Sequence, residues 1–341
     1  MSVKAPSELQ PMLSILIPAY NYAFGVRRIV VPLLSEGRSD IEILIHDDSS
    51  DNGVEVAIRK LAGSHTCLRY VRNSPVLGAV LNWNSLLQSA RGRYVILIHH
   101  DDFPLSETFA SDLLGELERN NWPDALILSC LTYDVARKRV KLCVCNLLRL
   151  FIERYLPAYL FRRNVIGPPS VLVVRPDLFE GYDPALKWLV DVEAYFRFLT
   201  AQTRRLVFSR LMMVSSTGLP NAISTTIRDS VREIADAELA YLETKYPPRS
   251  CWAQLRGTSH WGKSMLMLEW PLWAAVKIVS AICNALLTFA SLTTAVAYRD
   301  NYFEPIAQNG DTGEKYQFIQ GSKVSALAQT ETVETQPFDK R

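Results

Sequence analysis

The sequence predicts an α/β protein: a Rossmann-like, mostly parallel sheet with helices on both faces. Three observations carry this. Short, near-continuous apolar runs alternate with helix-period segments over the first 130 residues, the pattern of a parallel sheet covered on both sides. An apolar run twice leads straight into paired acids, as "ILIHDD" from Ile43 to Asp48 and as "ILIHHDD" from Ile96 to Asp102. The chain has 341 residues, 48% of them hydrophobic and 21% charged, enough for a substantial core.

The elements follow in order. "LSILIP" is a buried strand ended by Pro18. Gly25 to Glu36 is a helix, with Ile29, Val30, Leu33 and Leu34 on one side and a kink expected at Pro32. "IEILIH" is the second strand and Val54 to Leu61 a short helix. "CLRYV" is the third strand, and Ala79 to Ser89 a helix turning Val80, Leu86 and Leu87 inward. "RYVILI", a helix from Glu107 to Arg119, and "DALILSC" complete this half. Beyond it, Val140 to Arg163 is apolar with interspersed arginines, "VIGPPSVLVV" runs from a loop into a strand, and helices cover Lys187 to Thr200 and Arg228 to Lys245.

Ile278 to Ala297 is long enough to cross a bilayer. Its polar residues, Ser280, Asn284, Thr288, Ser291 and Thr294, fall on one side of a helix. That fits a helix lying on a membrane or packed on the domain better than a lipid-immersed span. From Gln308 onward the composition is that of a disordered tail.

The net charge of +2 gives no field that points to a nucleic-acid partner. Six scattered cysteines, with only Cys143 and Cys145 close together, fit ordinary thiols in a reduced, cytoplasmic compartment. The opening residues "MSVKAPSELQPM" lack the apolar core of a secretory signal.

In an open parallel sheet, ligands bind beyond the carboxyl ends of the strands. Asp47 and Asp48 follow strand two there, Asp101 and Asp102 follow strand four, and Pro18, Ala19, Tyr20 and Asn21 end strand one at the same rim. The two acidic stretches are therefore expected to meet at one site. Carboxylates there can accept hydrogen bonds from a base or ribose, or hold a hard cation such as Mg²⁺ or Mn²⁺. No glycine-rich phosphate loop follows strand one, so metal bridging is the route to a diphosphate that this sequence offers. The bland alternatives are turn caps at Asp47 and Asp48, and a turn before the next helix at Asp101 and Asp102. For His46 and His99, a hydrogen-bonded structural role fits better than zinc ligation. Asn82 and Asn84, either side of Trp83, read equally as a polar face beside a buried indole or as donor-site residues.

"SILIPAYN", "ILIHDDSSDNG", "LGAVLNWNSLL" and "ILIHHDD" stand in an order and spacing that resembles family 2 glycosyltransferases of the GT-A fold. The resemblance covers Leu13 to about Pro123 and continues more loosely through "IGPPSVLVVRPDLFEGYDPALKWLVDVEAYFRF". It implies a nucleotide pocket lined by Pro18, Ala19, Tyr20 and Asn21, with Asp48 on the base, Gly78 in a nearby loop, and His100 and Asp101 beside the nucleotide. Asp101 matches the last Asp of the metal-binding D-x-D motif and Asp102 follows it, which makes both metal ligands. His99 stands in place of the motif's first Asp. Asp191 matches the family's catalytic base, with Glu193 as backup; two residues apart on a helix, they face different ways.

The organisation expected is a nucleotide-sugar half over 1–130, an acceptor half over 131–250, an apolar helical extension over 251–305 and a tail over 306–341. The function expected is an inverting, divalent-metal-assisted transfer of a sugar from a nucleotide-diphosphate donor, UDP-linked, to a hydroxyl of a glycan or lipid-linked acceptor. "IGPPS" is expected near donor sugar or acceptor, and Leu147 to Arg163 offers arginines to an anionic lipid. The protein is expected in the cytoplasm, peripheral on the membrane's cytoplasmic face. A sugar-nucleotide nucleotidyltransferase and a non-catalytic module of the same fold are the alternatives.

Overall fold

The computed structural model describes residues 10–134, 139–143, 160–161, 164–201, 204–217, 219 and 229–246. Cys145, residues 278–297, most of 147–163 and the tail from 308 lie outside them.

Strands β1 (Leu13–Ala19) and β2 (Ile41–Asp47) are buried at all seven positions each. A strand buried at every residue has both faces covered, which is why these runs are apolar throughout rather than alternating. Each fully buried Leu or Ile side chain contributes about 1.5–3 kcal/mol over its exposed state. β1 pairs in parallel with β2 on one side and with β4 (Tyr94–Leu97) on the other, and β2 with β3 (Leu68–Arg72). Helix α1 (Ala23–Ser35) follows β1, α2 (Gly53–Ser64) follows β2 and α3 (Ala79–Ser89) follows β3. Pro32 lies inside α1, where it removes one backbone donor; the helix nonetheless runs on to Ser35, and Gly37, at φ +62°, turns the chain out.

The remaining strands are β5 (Asp102–Pro104), β6 (Ala125–Asp134), β7 (Arg139–Cys143), β8 (Leu172–Val174) and β9 (Leu206–Thr217). Helices α4 (Phe109–Arg119), α5 (Val190–Ala201) and α6 (Val231–Lys245) lie between or after them. Across the sheet the order is β3-β2-β1-β4-β8-β6-β9-β5, with β7 also on β6. The first four strands and the β6–β9 pair are parallel. β8 enters antiparallel between β4 and β6, and β5 and β7 pair antiparallel at β9 and β6. The sheet is thus mixed, and the strand read as "DALILSC" is separated from β4 by a strand that comes some fifty residues later in the chain.

The registers align Ala19 with Asp47 and Leu16 with Leu97, so β1, β2 and β4 end at one edge. The site stands on that edge.

Candidate active site

The rim begins where β1 stops. Asn21 takes a left-handed backbone at φ +48°, which Asn tolerates better than most residues. Its amide ties it to the loop after β2: Asn21 N donates to Ser49 Oγ at 2.8 Å, and Ser50 N donates back to Asn21 Oδ1 at 2.9 Å. Asp48 N donates to Ala19 O at 3.0 Å. On the other flank the ring of His100 meets Pro18 O through Nδ1 at 3.2 Å. Pro18 to Asn21 therefore lies between the two acidic loops and touches both. Tyr20, 46% exposed, leaves its ring open to solvent.

Asp47 and Asp48 divide their labour. Asp47 is fully buried and acts as a turn residue, accepting from Ser49 N at 2.8 Å and from the Tyr70 hydroxyl at 2.7 Å. Asp48 gathers the loop before α3: it accepts from Asn73 Nδ2 at 2.7 Å, Leu77 N at 3.1 Å and Gly78 N at 2.8 Å. Gly78 stands at φ +80°, a strained backbone for any side chain. The turn reading thus holds for Asp47, while Asp48 fastens the loop before α3 to the end of β2. Asn82 donates to His46 O at 3.0 Å and Asn84 clasps the Tyr182 backbone at 2.7 and 2.8 Å. Both asparagines are framework beside the buried Trp83, and His46 is a structural histidine bonded to Ser85 Oγ at 3.1 Å.

The second acidic loop is pressed against α1. A Cβ on Gly25 would come within 1.9 Å of His100 O, so only glycine permits this approach. One ring nitrogen of His99 and one oxygen each of Asp101 and Asp102 lie within 4.8 Å of one another. His99 departs from the structural role read in the sequence. Its Nε2 is buried with no hydrogen-bond partner, and its ring stacks on Trp83 at 4.6 Å. Burial lowers its pKa to about 4, against the field of Asp101, so the imidazole is neutral and able to ligate. Asp102 is buried and held by the hydroxyl of Ser170. Desolvation first, and the neighbouring Asp101 second, push it up to about 8. Arg28 lies close by, its buried guanidinium stacked 3.5 Å over Phe103 and unpaired; desolvation lowers it to about 10 while Asp101 and Asp102 pull it back up.

Two crowded carboxylates and a neutral imidazole with an orphaned nitrogen suit a divalent cation, which would relieve the repulsion that holds Asp102 protonated. The groups that could hold such a cation are His99, Asp101 and Asp102, one nitrogen more than the two acids read from the sequence.

Asp191 lies in the first turn of α5, where the helix dipole favours a carboxylate. Its Oδ1 accepts from Val192 N at 2.9 Å and its Oδ2 from Asn164 Nδ2 at 2.6 Å. Desolvation outweighs these bonds and raises its pKa to about 7. Glu193 points elsewhere. It is fully buried and accepts from Arg197 at 3.0 Å, Lys245 at 2.9 Å and the Tyr246 hydroxyl at 2.5 Å. It is a structural ion-network residue, which removes it as a backup base.

The stretch "IGPPS" joins the two parts. Ser170, at one end, donates to Asp102 and accepts from His99 N at 3.2 Å; Asn164, just ahead of it, holds Asp191. The sequence marked this loop but neither Asn164 nor Arg28, because nothing in spacing or periodicity distinguishes them.

Residues 14–171 match the model of the family described as Glycosyl transferase family 2. The chain is 33% identical over 102 residues to an uncharacterized protein of Mycobacterium tuberculosis, covering 30% of this chain and 31% of that one. It is 34% identical over 92 residues to the Escherichia coli UDP-Glc:α-D-GlcNAc-diphosphoundecaprenol β-1,3-glucosyltransferase WfaP, covering 27% of this chain and 36% of WfaP. The chain thus spans about a third of the length of each. Among solved structures it resembles the mannosyltransferase PcManGT of Pyrobaculum calidifontis, in complex with GDP-Man and Mn²⁺. The TM-score is 0.50 at 17% identity, over 95% of this chain and 88% of that one. At that identity the likeness is one of fold.

Proposed function

With residues 14–171 belonging to glycosyl transferase family 2, we propose that the chain is an inverting glycosyltransferase. It moves a sugar from a nucleotide-diphosphate donor to a hydroxyl of a glycan or lipid-linked acceptor. The observation that carries this reading is the joining of three groups through short contacts. These are the Asp48 loop, the His99–Asp101–Asp102 cluster and Asp191, linked by Pro18–Asn21 on one side and by residues 164–170 on the other.

In this reading Pro18, Ala19, Tyr20 and Asn21 line the nucleotide pocket, with the Tyr20 ring against the base and Asp48, Gly78 and His100 around it. His99, Asp101 and Asp102 would hold Mg²⁺ or Mn²⁺, which would supply positive charge to offset that of the diphosphate. Asp191 accepts the proton of the acceptor hydroxyl as that oxygen attacks the anomeric carbon from the face opposite the diphosphate. A base near 7 is half deprotonated at neutral pH, matched to a proton whose own pKa is far higher. The UDP-linked donor and lipid-linked acceptor in the name of WfaP favour the same classes here, while the GDP-Man bound by PcManGT keeps other bases in the test. We place the protein in the cytoplasm, at the membrane surface where a lipid-linked acceptor is met.

The test is sugar transfer and donor hydrolysis, followed by mass spectrometry over UDP-, GDP- and dTDP-sugars with Mg²⁺ or Mn²⁺. Asp191→Asn is expected to lower kcat by about 10³ or more with little change in donor KM. Asp101→Ala is expected to abolish metal-dependent turnover and the heat of Mn²⁺ binding together. An Asp101→Ala protein that keeps both would defeat the metal assignment. Absence of any Mn²⁺- or UDP-dependent heat in the wild type would instead favour a non-catalytic module.

A further inference from the structure

We propose that Asn164 is the positioning residue for Asp191: its amide fixes the rotation of that carboxylate and leaves a defined lone pair toward the acceptor hydroxyl. The inference rests on the reading of Asp191 as the base.

The amide cannot be turned over. Its Oδ1 accepts from two backbone donors, Ile166 N at 3.0 Å and Gly167 N at 2.9 Å. An amide nitrogen in that place would face two N–H groups, so the oxygen is assigned by its partners. Nδ2 is then obliged to point the other way. Its two hydrogens go to Gly167 O at 2.9 Å and Asp191 Oδ2 at 2.6 Å. The turn that makes this possible needs Gly167, which stands at φ +123°. The turn is also pinned to α5, because the Tyr195 hydroxyl, one helical turn beyond Asp191, donates to Gly167 O at 3.2 Å.

On the carboxylate, Oδ1 is taken by Val192 N within its own helix. That bond alone leaves the side chain free to swing about its Cα–Cβ axis. The Asn164 bond to the second oxygen closes a two-point grip, and each oxygen keeps one acceptor direction. Among the described residues no ion pair reaches Asp191, and the titratable group whose field it shares is the Tyr182 phenol. A neutral amide is therefore the partner that steers it. An amide can hold a base without neutralising it, whereas an arginine there would suppress its basicity.

Asn164→Asp reverses the contact. It is isosteric, keeps an oxygen for Ile166 N and Gly167 N, and replaces the nitrogen that donates to Asp191 Oδ2 and Gly167 O with an acceptor. The full chain, labelled with ¹³C-carboxylate aspartate, is titrated by NMR, with the Asp191 signal identified by its loss in Asp191→Asn. The wild-type midpoint is expected at about 7. In Asn164→Asp it is expected to rise by roughly one pH unit or more, and in Asn164→Ala by less. The acid limb of UDP release from UDP-glucose, with Mn²⁺ and water as acceptor, is expected to move the same way, with donor KM within about twofold of wild type. Midpoints in both variants equal to wild type, in proteins whose circular dichroism is unchanged, would overturn the inference. If Asn164→Asp does not fold, Asn164→Ala decides. Wild-type UDP release by Asp191→Asn would remove the base reading instead, an outcome the midpoints do not share.

Discussion

Asp102 is an acid held by the fold against its own charge. Folded, it titrates at about 8 rather than the ordinary 3.8, because burial and Asp101 both disfavour the anion. Between those two values the folded protein binds a proton that the unfolded chain has released, so this residue makes stability fall as pH rises from about 4 to about 8. Asp102→Asn takes that burden away. We expect it to unfold at higher urea than the wild type at pH 8, with the difference closing toward pH 4. Mn²⁺ should reverse the order, stabilising the wild type and leaving the variant unmoved. Glu193 has the opposite sign. Desolvation is outweighed by Arg197, Tyr246 and Lys245, so its pKa is lowered. Its contribution is present above the unfolded value near 4.5 and is lost as pH falls through the folded one. Glu193→Gln should flatten the acid side of the stability profile, read by urea melts between pH 3 and 6. That the Asp48 and Asp101 loops meet at one rim was legible at this scale, because both acids follow apolar strands in recognisable strings. That Glu193 is structural was not, since its partners Lys245 and Tyr246 lie more than fifty residues away.

Two helix starts are fastened by carboxylates from distant elements. Glu36, at the end of α1, accepts from Ala110 N and Ser111 N at the head of α4. Glu238 of α6 accepts from the backbone N–H groups of Lys187, Trp188 and Leu189 on the approach to α5. Glu238→Ala would leave those donors, of which Leu189 N is the buried one, without their acceptor. We expect a loss of about 2–3 kcal/mol in urea denaturation, with kcat falling as the start of α5, and Asp191 with it, loses its fixed place. Such remote caps have no local signature, which is one reason the sequence put the starts of α4 and α5 two or three residues early, at Glu107 and Lys187. α3 agrees with its expected bounds to the residue, because Gly78 marks its start and its apolar face is regular. β9 was missed: seven of its twelve residues are only partly buried, so its run lacks the continuous apolar character that betrayed β1 and β2.

Across the whole molecule, β8 decides whether the sheet is one body. Three residues, all buried, join β4 to β6. Val173 pairs with Ile96 on one side and Leu126 on the other. Val173→Ala should destabilise by about 1–3 kcal/mol and leave a single cooperative urea transition; two separate transitions would mean that the halves fold independently. This join was not readable from the chain, since insertion of a late strand between two earlier ones is a long-range choice that periodicity does not encode. The stretch at 278–297 is a separate question at this scale. Carbonate extraction of membranes is expected to release the protein, the outcome that the polar positions of this sequence favour, whereas retention would mean a span.

The segment from Asn164 to Ser170 grips Asp191 at one end and Asp102 at the other. Its length is therefore a ruler. Adding or deleting one residue within it would displace both carboxylates at once, so under the proposed function a change of acceptor has to work through other loops and leave this one uncut.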